Sequence, residues 1–249
     1  MLQQITSRKN PKVVEAASYK NHPGDRFLVE GFHTVEMAIA SRLAEAVFSL
    51  KEYPTKGVPL YLVNQEIIEK LSFTRNPEGI VALCHKPAER RLSSPRALLL
   101  DAVQDPGNVG TILRTALSFG FDDVLLGKGT ANPYNPKSLL AAQGASFSLN
   151  ILFGKEAGEY ADLLRQEGYF LVGTSLQKAV STTDFAASEG KLALILGNEG
   201  QGVSPKILER TDINLRIPIR GIDSLNVGVA GGILMSRLAL ISCVLFQMM

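Results

Sequence analysis

From residue 97 onward the chain repeats one pattern: a short run almost free of polar positions, then an amphipathic stretch. "ALLLDAV" (97–103), "DVLLG" (123–127), "YFLVGTS" (169–175), "LALILG" (192–197) and "INLRIPI" (213–219) read as strands. Helices are expected between them, over 109–119, 136–142, 156–166 and 205–210, with a long apolar one over 225–245. Strands that are apolar on both faces need helices on both sides, which predicts a parallel α/β sheet. Before residue 85 the alternation is looser. Helices are expected over 11–20, 33–40 and 65–71, and strands over 26–29, 47–50, 60–63 and 79–84. Between the halves lies "HKPAERRLSSPRA" (85–97), rich in Pro, Ser and basic residues and without apolar period. It reads as a linker, which places a domain boundary near residue 95: a small α/β domain over 1–95 and a larger one over 96–249.

The composition, 45% hydrophobic and 20% charged over 249 residues, suits an ordinary globular protein. The two cysteines, Cys84 and Cys243, sit in apolar runs with no pairing framework, so a reducing, cytoplasmic setting is the expectation. Residues 225–246 are apolar enough to raise a membrane helix, but Gly and Ser residues and Arg237 interrupt them, and no anchor is expected. Net charge is uneven. Residues 1–95 carry 13 Lys/Arg against 10 Asp/Glu, and the first fourteen hold Arg8, Lys9 and Lys12 without an acid. That surplus suggests a polyanion partner.

All three histidines (His22, His33, His85) precede residue 95, so the larger half has no His-based triad and no His/Cys metal cluster. No P-loop is present, and the glycines of "GNEGQG" (197–202) are not in dinucleotide-binding order. Three polar clusters remain, each after an apolar strand, where open α/β sheets bind ligands. In "DAVQDPGNVGTILR" (101–114), Asn108 could simply cap a helix and Arg114 be a solvated charge. In "LGNEGQGVSP" (196–205), three glycines around Glu199 allow close backbone approach to a ligand, or only a long turn. In "IPIRGIDSLNV" (217–227), Ser224 could cap the last helix, leaving Asn226 in its first turn.

Together these clusters resemble the SpoU (TrmH-type) family of RNA ribose 2′-O-methyltransferases, within the SPOUT superfamily. Asn108 shortly after Asp105-Pro106, with Arg114 six residues on, is similar to the family's first motif. Gly197–Gly202 matches Gly-x-Glu-Gly-x-Gly. Ile217, Pro218, Ser224, Leu225, Asn226 and Val227 match the third motif, although the Pro218–Ser224 segment is one residue shorter and Gly228 replaces the more usual Ser. "SRKNPKVVEAAS" and "PEGIVALCHKP" also resemble the family's small, ribosomal-protein-like RNA substrate-binding domain.

The resemblance implies methyl transfer from S-adenosyl-L-methionine to a ribose 2′-OH without a metal, in ribosomal RNA rather than tRNA. A non-catalytic RNA-binding protein on the same fold is the rival reading. It implies a deep trefoil knot in the C-terminal half and a homodimer packed through the last helix. Leu196, Gly197, Asn198, Gly200, Ile217, Ile219, Ser224, Leu225 and Asn226 would surround the cofactor. Arg114, Asn108, Glu199, Ser224 and Asn226 would form the catalytic group, and Arg8, Lys9 and Lys12 would meet RNA.

Overall fold

Two helices of the N-terminal part, those that follow its first and fourth strands, start at an asparagine cap. The computed structural model describes residues 2–175, 179–185 and 190–239, which divide into two compact units. One unit begins with β1 (Leu2–Ile5), α1 (Pro11–Ser18), β2 (Arg26–Glu30), α2 (Phe32–Ala40), β3 (Ala44–Ser49), β4 (Leu60–Val63), α3 (Gln65–Leu71) and β5 (Ile80–His85). Asn10 starts α1 by accepting from Lys12 N at 3.0 Å, with Pro11 in the first turn, and Asn64 starts α3 by accepting from Ile67 N at 3.1 Å. The five strands pair in the order β1-β4-β3-β5-β2, with β5 antiparallel to both neighbours and the other pairs parallel. Val13 and Ala16 of α1 and Ile67, Ile68 and Leu71 of α3 pack against Leu28, Phe48 and Val81. The sequence gives no warning of β1: three of its four residues are exposed, so it carries no alternating pattern.

The other unit is a parallel sheet. It runs β6 (Arg96–Asp101), α4 (Pro106–Ser118) and β7 (Asp123–Leu126). The chain then leaves through α5 (Pro136–Ala142) and a 3₁₀ turn (Ala145–Phe147). It returns as β8 (Asn150–Phe153), α6 (Ala157–Gln166), β9 (Phe170–Thr174), β10 (Val180–Ser181), β11 (Leu192–Gly197), α7 (Pro205–Leu208), β12 (Ile213–Arg216) and α8 (Val227–Leu238). The seven strands lie in the order β10-β12-β9-β11-β6-β7-β8, every neighbouring pair parallel. β6, β7 and β11 are buried along their whole length, as their unbroken apolar runs require. Buried Arg96 ties the first of these to the end of the last helix, donating from Nε to Leu238 O at 2.6 Å.

Four expectations need adjusting. Residues 132–148 pack into the first unit rather than the second, so one cut at residue 95 does not describe the contacts. The Tyr134 and Phe147 rings lie 4.9 and 6.2 Å from Phe27, and Gly144 sits so close to Met37 that a Cβ would overlap its sulfur. The expected linker has no secondary structure from residue 86 to residue 95, yet it is pinned: Ser93 N and Ser94 N both donate to buried Asp123 at 2.7 Å. The strand expected over 213–219 stops at Arg216, two residues before Pro218, which has no N–H for a ladder. The last helix begins at Val227; the 240–245 part of the expected helix, with Cys243, lies outside the described residues. No helix among the described residues is long and apolar enough to cross a membrane.

Candidate active site

Because the seven strands are parallel, the segments after β6, β11 and β12 all leave the sheet at its carboxyl edge. These segments are the three polar clusters, and the structure shows what joins them.

The segment after β6 starts with Ala102 in the left-handed region (φ 57°), unusual for a residue with a Cβ. Asn198 holds it: its Nδ2 donates to Ala102 O at 2.9 Å, while its Oδ1 accepts from Gly200 N and Gln201 N at 2.9 and 3.1 Å. Asn198 and Gly202 also pair main chain to main chain, closing the glycine loop into a tight hairpin. Gly197 is required there, since a Cβ would overlap Gly202 C and Val203 N.

Asp105, not Asn108, is the N-cap of α4; its Oδ1 accepts from Asn108 N at 2.9 Å, and Pro106 opens the helix. The Asn108 side chain is thereby left free for tertiary contact. Its Nδ2 donates to Glu199 Oε1 at 3.0 Å, and its Oδ1 accepts from Asn226 Nδ2 at 2.9 Å. Glu199 also accepts from Gln104 N and Asp105 N at 3.1 and 3.0 Å. One continuous relay therefore joins all three clusters: Glu199, Asn108, Asn226. Asn226 rather than Ser224 caps α8, its Oδ1 accepting from Gly228 N at 2.9 Å and Val229 N at 3.3 Å. Partial burial alone would raise the Glu199 pKa, but the hydrogen bonds from Asn108, Asp105 and Gln104 outweigh it and hold the carboxyl below its ordinary range.

Two predicted members stand apart. Arg114 is exposed on α4, next to Thr115 in the chain, and its guanidinium makes no hydrogen bond or ion pair among the described residues. Ser224 is exposed on the loop between β12 and α8 and is likewise unengaged. On that loop Ile217, Ile219 and Leu225 are half-buried, and no N–H from residue 217 to 225 is spent on a hydrogen bond among the described residues. Leu196 is buried at the end of β11, against Gly231 of α8. In the N-terminal unit, Arg8 and Lys9 are exposed in the turn before α1, while Lys12 lies 5.0 Å over the Tyr61 ring. Sequence reasoning missed the Gln104 and Asp105 amides that grip Glu199 and the Asn198 clamp on Ala102. Only the Asp-Pro pair, a recognisable helix start, hinted that Asn108 was free for other work.

Comparison with known proteins bears on this arrangement directly. Residues 95–236, spanning the whole relay, match the model of the SpoU rRNA Methylase family. The chain belongs to the SpoU rRNA methylase family. Residues 22–82 match an MRM3-like substrate binding domain. The 23S rRNA (guanosine(2553)-2′-O)-methyltransferase RlmP of Bacillus subtilis is 38% identical over 95% of this chain and 99% of its own. The 23S rRNA (guanosine-2′-O-)-methyltransferase RlmB of Coxiella burnetii is 32% identical over 71% of this chain and 75% of its own. An rRNA methyltransferase structure from Sinorhizobium meliloti has the same fold, with TM-score 0.86 at 24% identity, covering 95% of this chain and 97% of that one. In this SpoU rRNA methylase the three polar clusters singled out from sequence all lie within the matched span.

Proposed function

We propose that this protein methylates the ribose 2′-OH of a guanosine in 23S rRNA, at the position corresponding to the target named for the Bacillus subtilis relative. The observation that carries the reading is the Glu199–Asn108–Asn226 relay at the carboxyl edge of the sheet. The methyl donor is S-adenosylmethionine, and the residues present fit it. Ile217, Ile219 and Leu225 offer apolar surface beside a run of unspent N–H groups, as a nucleoside requires. Leu196, Gly197, Asn198 and Gly200 would form the opposite wall, the last two shaped by the Asn198 clamp. Bound there, the sulfonium supplies an electrophilic methyl group.

The chain's own residues then position the acceptor. Glu199 fixes the Asn108 amide, and Asn108 fixes Asn226. Each asparagine keeps a second N–H for the ribose. The Arg114 guanidinium grips the phosphate beside the target and stabilises the negative charge that builds on the 2′-oxygen as its proton passes to solvent. Ser224 would add a contact to the ribose. The trefoil-knotted threading, the homodimer through α8 and the cytoplasmic setting belong to the same reading. The test is transfer of labelled methyl to 23S rRNA from a strain lacking the gene, with the modified nucleotide mapped by nuclease digestion and mass spectrometry. Label outside 23S rRNA, or on a base, would refute it. Arg114→Ala should abolish transfer and leave donor affinity within a few-fold; near-normal turnover would remove Arg114 from the mechanism.

A further inference from the structure

The N-terminal unit contains a groove of about 450 Å³ that no part of the relay uses. Its apolar lining includes Leu28 and Val29 of edge strand β2, Phe73, and Leu140 of α5. Lys20 and Lys137 stand among its lining residues. The one carboxylate in it, Glu30, is already engaged, accepting from Phe73 N at 2.7 Å and Thr74 N at 3.1 Å. These bonds also hold Phe73 and Thr74 in place.

The cations do not stop at the rim. Lys20 Nζ donates to Lys70 O at 3.1 Å, and Lys70 Nζ donates to Arg8 O at 2.8 Å, with Lys9 the next residue along the chain. Lys20, Lys70, Arg8 and Lys9 thus follow one another away from the groove, and none forms an ion pair with a carboxylate among the described residues. Arg26 of the same unit shows the contrast: Glu15 and Glu45 neutralise it at 2.8 and 3.0 Å. A track of unneutralised cations leading to an apolar slot is complementary to a single strand of nucleic acid. Such a strand has regularly spaced phosphates and bases that can leave the stack.

We propose that this groove takes one unpaired nucleotide of the rRNA substrate, its base against Phe73 and Leu140, while the flanking phosphates run along Lys20, Lys70 and Arg8. The inference rests on the proposed activity for the identity of the RNA. The occupied groove would anchor the substrate in the N-terminal unit independently of the nucleotide being methylated. The test is filter retention of a 23S rRNA fragment by full-length protein without methyl donor, across a salt series. The variants are Phe73→Leu and the double variant Lys20→Gln, Lys70→Gln. Each should weaken RNA binding about tenfold. For the double variant, the log–log salt slope should become shallower by roughly 1.4, about 0.7 per lost phosphate contact on a single strand. Donor affinity should not change in either variant, and the double variant should keep the wild-type Tm. RNA affinity and slope both unchanged in folded double variant would overturn the proposal. Wild-type protein that retains this RNA but transfers no methyl group would instead overturn the activity and leave the groove standing.

Discussion

At the scale of single residues, the candidate site is joined through one carboxylate. Glu199 receives three N–H donors, from Asn108, Asp105 and Gln104. A neutral carboxylic acid would oppose part of that set with its own proton. Because its folded pKa is lowered, its contribution to stability is fully present above the unfolded pKa and is lost as pH falls through the folded value. Transfer should therefore persist on the acid side to a pH below the ordinary carboxylate range, then fail as the relay breaks. Glu199→Gln keeps the size but turns one oxygen into a donor facing donors. Its turnover should fall about a hundredfold, the scale of losing one preorganised contact in a catalytic site. Single-turnover rates against pH check both points; a variant with wild-type turnover would show that the relay does not position the acceptor.

Elements set how closely the site's parts approach. Gly197 ends β11, and the glycine hairpin folds back on it so tightly that no side chain fits. Gly200, three residues on, has only Asn198 Oδ1 near a hypothetical Cβ, at 3.6 Å. Gly197→Ala should thus cost about 3 kcal/mol by overpacking, lowering Tm by roughly 6–12 °C, whereas Gly200→Ala should leave Tm within about a degree. Equal melting of the two variants would refute the close-approach argument. The same scale separates what the sequence could reveal from what it could not. β6, β7 and β11 were legible because strands buried on both faces leave unbroken apolar runs. The site was legible as three clusters following such runs, but the bonds joining them span 91 and 118 residues and leave no local trace. Equally silent was the fate of 132–148. α5 reads correctly as a helix, yet which sheet it covers depends on Phe27, more than a hundred residues earlier.

At the scale of the whole molecule, the helix that carries Asn226 also presents an unexplained apolar surface. Its inner side is built for close packing: Gly231 lies against Leu196, and Gly228 and Gly232 lie against Thr111 and Thr115 of α4. On its outer side Val229 and Ile233 are 53% and 36% exposed, one turn apart. Val229 N donates to the Asn226 side chain, so this surface borders the relay itself. The homodimer proposed above would cover this pair, with a second copy of the same helix as a self-complementary surface. Ile233→Asp would place a charge in that contact without touching the inner packing. Light scattering at micromolar concentration should then give a dimer mass for the native protein and a monomer mass for the variant, with far-UV circular dichroism unchanged. If dimerisation also completes the site, methyl transfer by the variant should rise with protein concentration faster than linearly. A variant that remains dimeric would move the interface elsewhere and leave Val229 and Ile233 without a role.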